Sequence, residues 1–166
     1  MAIFNDTKEI FQRLDWIILK KGWISLYWKE SILKKDLKWF ENENYNIVEF
    51  DCRSWANDAK MHEQLKIKLN FPDYYGGNFD ALNDCLTYFQ INGIGQVVVF
   101  NHLDSIDSDA IHTLLDIFAD NSRRHMLFGE RFFVLAQVDN PKFKIDPVGA
   151  TAVSWNEQEW LVSNRQ

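Results

Sequence analysis

Cysteine, proline and glycine are all scarce in this 166-residue chain, at two, three and seven residues. Two cysteines, Cys52 and Cys85, are too few for a disulfide scaffold and too far apart for a zinc site, so they read as small apolar residues of a reduced, cytoplasmic protein. The shortage of Pro and Gly argues against long irregular loops. No apolar run approaches the roughly 20 residues of a membrane helix. Asp6, Lys8, Glu9 and Arg13 interrupt Met1 to Leu14, so no signal peptide is expected. The most local absence is of positive charge. From Phe71 to Ser122 there is no Lys, Arg or Glu but eight Asp, at 73, 80, 84, 104, 107, 109, 116 and 120, which gives that stretch −8 against −6 for the whole chain. The remainder is slightly basic. A nucleic-acid partner is disfavoured, because phosphate contacts need Lys and Arg. The acidic third is either a solvated surface or a docking face for something basic.

What is present is the material of a folded core: 46% hydrophobic residues with seven Trp and thirteen Phe, far from a disordered composition. The length suits one domain spanning 1–166. Asp6 to Leu14 has the pattern of a short helix capped by Asp6, with Glu9 at capping-box distance. Trp16 to Leu19 and Trp23 to Trp28 flank Lys20-Lys21-Gly22 and predict a hairpin. Glu30 to Asn42 spaces Ile32, Leu33, Leu37 and Phe40 as a helix does. Strand and helix then alternate. Asn46 to Cys52 is a strand candidate, Ala59 to Leu69 a helix, Phe79 to Phe89 a helix, Gln96 to Phe100 a strand, Ser108 to Asn121 a helix and Arg131 to Gln137 a strand. The near-continuous apolar runs Val97-Val98-Val99 and Phe132-Phe133-Val134-Leu135 predict strands buried on both faces, and the alternation predicts a parallel sheet. Thr151 to Trp155 and Glu159 to Val162 are candidates for one or two final strands.

The stretch Phe71-Pro72-Asp73-Tyr74-Tyr75-Gly76-Gly77-Asn78 is a turn by composition, and it delivers the chain into the helix that Asn78 should cap. Leu82, Cys85, Leu86 and Phe89 form that helix's inward stripe, as Ile111, Leu114, Leu115 and Phe118 do on the next long helix. Asp80, Asn83, Asp84 and Thr87 then fall on the outward side. Asp116 and Asp120 repeat the four-residue carboxylate spacing, which costs a helix roughly 0.2–0.5 kcal/mol per like-charged pair and so is not a choice made for helix stability.

Leu69 to Thr87, reading LNFPDYYGGNFDALNDCLT, resembles the signature of the barstar family, intracellular inhibitors of the secreted ribonuclease barnase. The element order resembles the family from Asn46 to Gln137, which implies an α/β fold with a small parallel sheet packed by helices in two or three layers. Residues 1–45 (helix, hairpin, helix) and 138–166 (final strands) would be peripheral additions, as in longer barstar-like proteins. The resemblance implies that the loop and its helix enter a basic ribonuclease cleft, with Tyr74, Gly76, Asn78, Asp80, Asn83, Asp84 and Thr87 in contact and Asp84 as the central anion in place of an RNA phosphate. From the next long helix, Ile117 and Asp120 fall at matching contact positions, Asp standing where the prototype has Glu. Three positions depart from the prototype: Gly77 replaces an acidic residue, and Asn83 and Phe89 replace tryptophans.

The resulting expectation is a bacterial, cytoplasmic antitoxin: a monomeric, non-enzymatic inhibitor of a secreted or toxin ribonuclease, with no cofactor, metal, nucleic acid or membrane. Two rival readings keep the same carboxylates. One is an immunity protein against a different basic toxin or nuclease domain. The other is a metal-dependent hydrolase with Asp80, Asp84 and Asp120 as oxygen ligands. His62, His102, His112 and His125 are scattered over different elements and suggest no metal or proton-transfer site. Trp16, Trp23, Trp28 and Tyr27 read as packing residues.

Overall fold

A computed structural model describes residue 4 and residues 7–166. It contains a five-stranded sheet in the order β2-β3-β4-β1-β5, in which every pair is parallel. The strands are β1 (Ile24–Tyr27), β2 (Asn46–Asp51), β3 (Gln96–Asn101), β4 (Phe132–Gln137) and β5 (Ser154–Trp155). The helices are α1 (Leu14–Leu19), α2 (Glu30–Asn42), α3 (Asp58–Lys68), α4 (Phe79–Thr87) and α5 (Ser108–Leu127).

Strand alternation sorts the core into two layers. Phe50, Val98, Phe100, Phe132, Val134, Ile24 and Leu26 join Leu65, Leu82, Leu86, Leu114, Leu115 and Phe118 of α3, α4 and α5 on one face. Val97, Val99, Phe133, Leu135 and Tyr27 meet Ile18 of α1 and Leu33, Leu37 and Phe40 of α2 on the other. The architecture is therefore α/β/α, with the sheet between two helical layers. Both faces of β3 and β4 are covered, which is why their sequences are apolar without alternation.

The expected hairpin does not form. Trp16 to Leu19 lies within α1, and β1 pairs in parallel with β4, residue Ile24 opposite Val134. Lys20 to Gly22 turns the chain, with Gly22 at φ +107°, and β1 then enters the sheet as an inner strand buried at all four positions. Burial on two faces is what its aromatic and β-branched content serves. The predicted first helix is a 3₁₀ turn, Lys8–Gln12, separated from α1 by Arg13; its proposed cap, Asp6, lies outside the described residues. Toward the end of the chain only Ser154–Trp155 is a strand. Glu159 to Val162 is not, because the buried Glu159 carboxylate turns inward to accept the backbone N–H groups of Trp28 and Lys29, both at 3.0 Å. The terminal segments thus supply two strands and two helices to one continuous sheet.

Candidate functional site

The turn before α4 is built from inside out. Tyr75 is buried on Phe71, ring centroids 5.0 Å apart, and its hydroxyl lies 2.6 Å from His62 Nδ1 on α3. Tyr74, the preceding residue, is driven outward and is 85% exposed. Gly76 and Gly77 carry the chain on; Gly77 has φ +67°, a left-handed conformation that glycine adopts without strain, with open space around it. Asn78 closes the turn as the cap of α4, its Oδ1 accepting the Ala81 N–H at 2.8 Å.

Helical geometry then sets the face. Leu82 and Leu86 are fully buried and Cys85 is half-buried, so Asp80 and Asp84, one turn apart, are both exposed. Burial raises the Cys85 thiol pKa above its usual range. Asn83 and Thr87 do not share the outward position expected for them. They are half-buried and turn toward α5, because α4 and α5 pack side by side. Asn121 of α5, fully buried, donates to Asn83 Oδ1 and to the Ile117 carbonyl, each at 2.9 Å. The Thr87 hydroxyl lies 2.8 Å from the Asn83 carbonyl and 3.1 Å from Asn121 Oδ1. Where the family prototype carries a tryptophan, Asn83 thus completes an amide bridge between two helices.

On α5, Asp116 and Asp120 serve different neighbours. Asp116 accepts the Gly149 N–H at 2.8 Å and ties the helix to the C-terminal segment. Asp120 pairs with Arg123 at 2.9 Å, both side chains close to half-exposed. Ile117 is half-buried beside them. Asp104 and Asp107 also have structural duties, Asp104 receiving the N–H groups of Asp139 and Asn140 and Asp107 capping α5. Of the eight aspartates in the base-free stretch, Asp73 lies 3.9 Å from the Lys66 ammonium, while Asp80 and Asp84 on α4 and Asp109 at the start of α5 are exposed without an ion pair among the described residues. Among these residues no group of three or more His, Cys, Asp or Glu side chains is arranged to hold a metal ion.

Beside Tyr74 and Asp84 runs a groove of about 940 Å³, bounded by edge strand β2 and the end of α3 and floored in part by Phe71, Phe89 and Gln96. Tyr88, 84% exposed, stands at its rim. Sequence reasoning did not single out Tyr88, and its only signal was position: it follows the last residue of α4, just past the apolar stripe. The four histidines have separate partners. Besides the His62 contact to Tyr75, His102 faces Asp139 at 2.9 Å, His112 faces the Pro147 carbonyl and His125 the Leu86 carbonyl.

A family model described as Barstar (barnase inhibitor) matches residues 45–137, more than half the chain and the whole run from β2 to β4. The chain belongs to the barstar family. A Bacillus subtilis (strain 168) protein named "Putative ribonuclease inhibitor YrdF" is 60% identical over 37 residues, which is 22% of this chain and 41% of that protein. The match therefore spans less than half of that relative's length. Among solved structures, one chain in "Structure of Drosophila ORC bound to AT-rich DNA and Cdc6" superposes with a TM-score of 0.49 and 15% identity over 80% of this chain and 47% of its own; a likeness that slight says nothing about function. The barstar segment holds β2, β3 and β4 as three adjacent strands, with α3, α4 and α5 on one face. The residues outside it add β1 and β5 to one edge of this sheet and cover its other face with α1 and α2.

Proposed function

We propose that this barstar-family chain is a stoichiometric inhibitor of a secreted or toxin ribonuclease, acting inside the cell that makes it. The loop at Tyr74 to Asn78 and the outer face of α4 enter the enzyme's basic cleft. Asp84, and Asp80 one turn before it, replace RNA phosphates among the enzyme's cationic side chains. Charge-assisted hydrogen bonds from guanidinium to carboxylate are the strong kind, and they gain strength as the cleft is closed to water. Ile117 and Asp120 provide the second contact, from α5.

The observation that supports this most is the exposure of both α4 carboxylates beside an exposed aromatic loop, in a stretch without a single Lys or Arg. The loop is braced from below by the Tyr75 to His62 contact, so the surface is preformed and loses little freedom on binding. Opposite charge should accelerate the encounter. The test is titration of barnase and related secreted ribonucleases with the purified chain, with Asp84→Ala and Asp109→Ala in parallel. Asp109 is exposed at the start of α5, in a cleft it lines with Phe143 to Asp146 of the C-terminal segment. Inhibition that saturates at one equivalent, is weakened by Asp84→Ala and is kept by Asp109→Ala supports the reading. Equal effects of the two substitutions would contradict it, and capture of a toxin domain without ribonuclease activity would move the role to the wider class of immunity proteins.

A further inference from the structure

An anionic docking face accounts for Asp80 and Asp84 but leaves one cation beside them unexplained. The base-free stretch ends at Ser122, and the next two residues are Arg123 and Arg124, in the last turns of α5. Arg123 is used within the chain, pairing with Asp120 and donating to the Gly149 carbonyl at 3.1 Å. Arg124 is not. Its side chain is exposed, its guanidinium donates to Thr87 Oγ1, and no carboxylate stands within ion-pairing distance of it among the described residues.

Thr87 lies three residues beyond Asp84 in α4, about 4.5 Å along the helix axis at 1.5 Å per residue. Because Thr87 is itself held by the Asn83 carbonyl and Asn121 Oδ1, Arg124 rests on a rigid support across the junction of the two helices. The charge pattern the surface offers is therefore two anions followed by a fixed cation. Two unit charges about 10 Å apart, roughly one Debye length at 0.1 M salt, still interact, and more strongly where the interface excludes water. A cation in this place penalises an enzyme whose rim is basic throughout and favours one with an acidic group there.

We propose that Arg124 sets partner selectivity: the surface fits a ribonuclease whose cationic pocket is bordered, where α5 arrives, by an acidic side chain. This rests on the reading of Asp80 and Asp84 given above. A specificity device of this kind combines a new attraction with a repulsion against the wrong partner. Asn83 contributes by replacing an apolar aromatic with the amide bridge that holds Thr87 in place.

The test uses full-length chain and barnase, whose active site is basic, as the probe of a cationic rim. Parent, Arg124→Gln, Arg124→Glu and Asp84→Ala are compared by inhibition titration, and thermal unfolding of each checks that the fold is retained. Arg124→Glu should bind barnase about tenfold more tightly than the parent, the equivalent of about 1.4 kcal/mol, with Arg124→Gln between the two. Affinities of both Arg124 variants equal to or weaker than the parent's would overturn the proposal, as would undetectable binding by the parent and both variants. Asp84→Ala separates the two layers of the argument: if it binds as the parent does, the carboxylate reading fails, whatever Arg124 does.

Discussion

Asp84 projects from the middle of α4, where the helix dipole offers a carboxylate little, whereas Asp80 sits in the first turn, where it helps stabilise the helix. The two should separate experimentally. Asp84→Ala is expected to leave the unfolding midpoint nearly unchanged while weakening ribonuclease binding by about 2–5 kcal/mol, the range for truncating one partner of a buried interfacial charge pair. Asp80→Ala should cost some stability as well as affinity, and calorimetric unfolding beside an inhibition titration measures both. Below the loop, burial holds the His62 pKa under its ordinary 6.5. The unfolded chain therefore binds more protons than the folded chain as pH falls below about 6.5, so the stability that neutral His62 contributes is present above that pH and lost on acidification toward the folded value. Denaturant unfolding from pH 7.5 to 5 should show this slope. His62→Gln should flatten it, and a slope identical in the variant would remove His62 as its source.

At the scale of elements, α1 is fastened to the sheet through Asp15, fully buried, which accepts the Tyr45 hydroxyl at 2.5 Å and lies 3.1 Å from Arg13 and 3.5 Å from Arg131. Asp15→Ala leaves buried cationic and hydroxyl groups without their acceptor and should destabilise the fold by about 3–5 kcal/mol, read as a lowered denaturant midpoint. Gly95, where β3 begins, is another constraint: a Cβ there would lie 2.6 Å from Tyr45 Cε1 and 2.8 Å from the Arg131 carbonyl. Gly95→Ala should accordingly cost about 1–3 kcal/mol in the same measurement. The elements from β2 to β4 were legible because each carries its own period: stripes at Leu82, Cys85 and Leu86 or Ile111, Leu114, Leu115 and Phe118, and unbroken apolar runs in the buried strands. The N-terminal hairpin is not realised because Trp16, Ile17 and Ile18 carry strand-like side chains in a short helix. The parallel partner of β1, moreover, lies more than 100 residues ahead in the chain. Within the site, exposure of Asp80 and Asp84 follows from helix geometry alone. The inward turn of Asn83 and Thr87, and the approach of Arg124, depend on where α5 packs, which no local pattern encodes.

For the molecule as a whole, the acidity that dominates 71–122 is only partly available to a partner. Asp104, Asp107 and Asp116 accept backbone N–H groups and Asp120 is paired, which leaves Asp80 and Asp84 as the exposed, unpaired carboxylates of the proposed α4 surface. Association with a basic enzyme should still be steered by that field. Its rate constant is expected to fall steeply between low and physiological salt while the dissociation rate changes little, a contrast that stopped-flow binding resolves. The central claim, that α4 carboxylates occupy the place of RNA phosphates, is tested most directly by competition. Binding of the chain to its target ribonuclease is measured at increasing concentrations of a mononucleotide held in the enzyme's phosphate site. The account predicts an apparent Kd that rises linearly with nucleotide concentration, and an affinity indifferent to the nucleotide would contradict it.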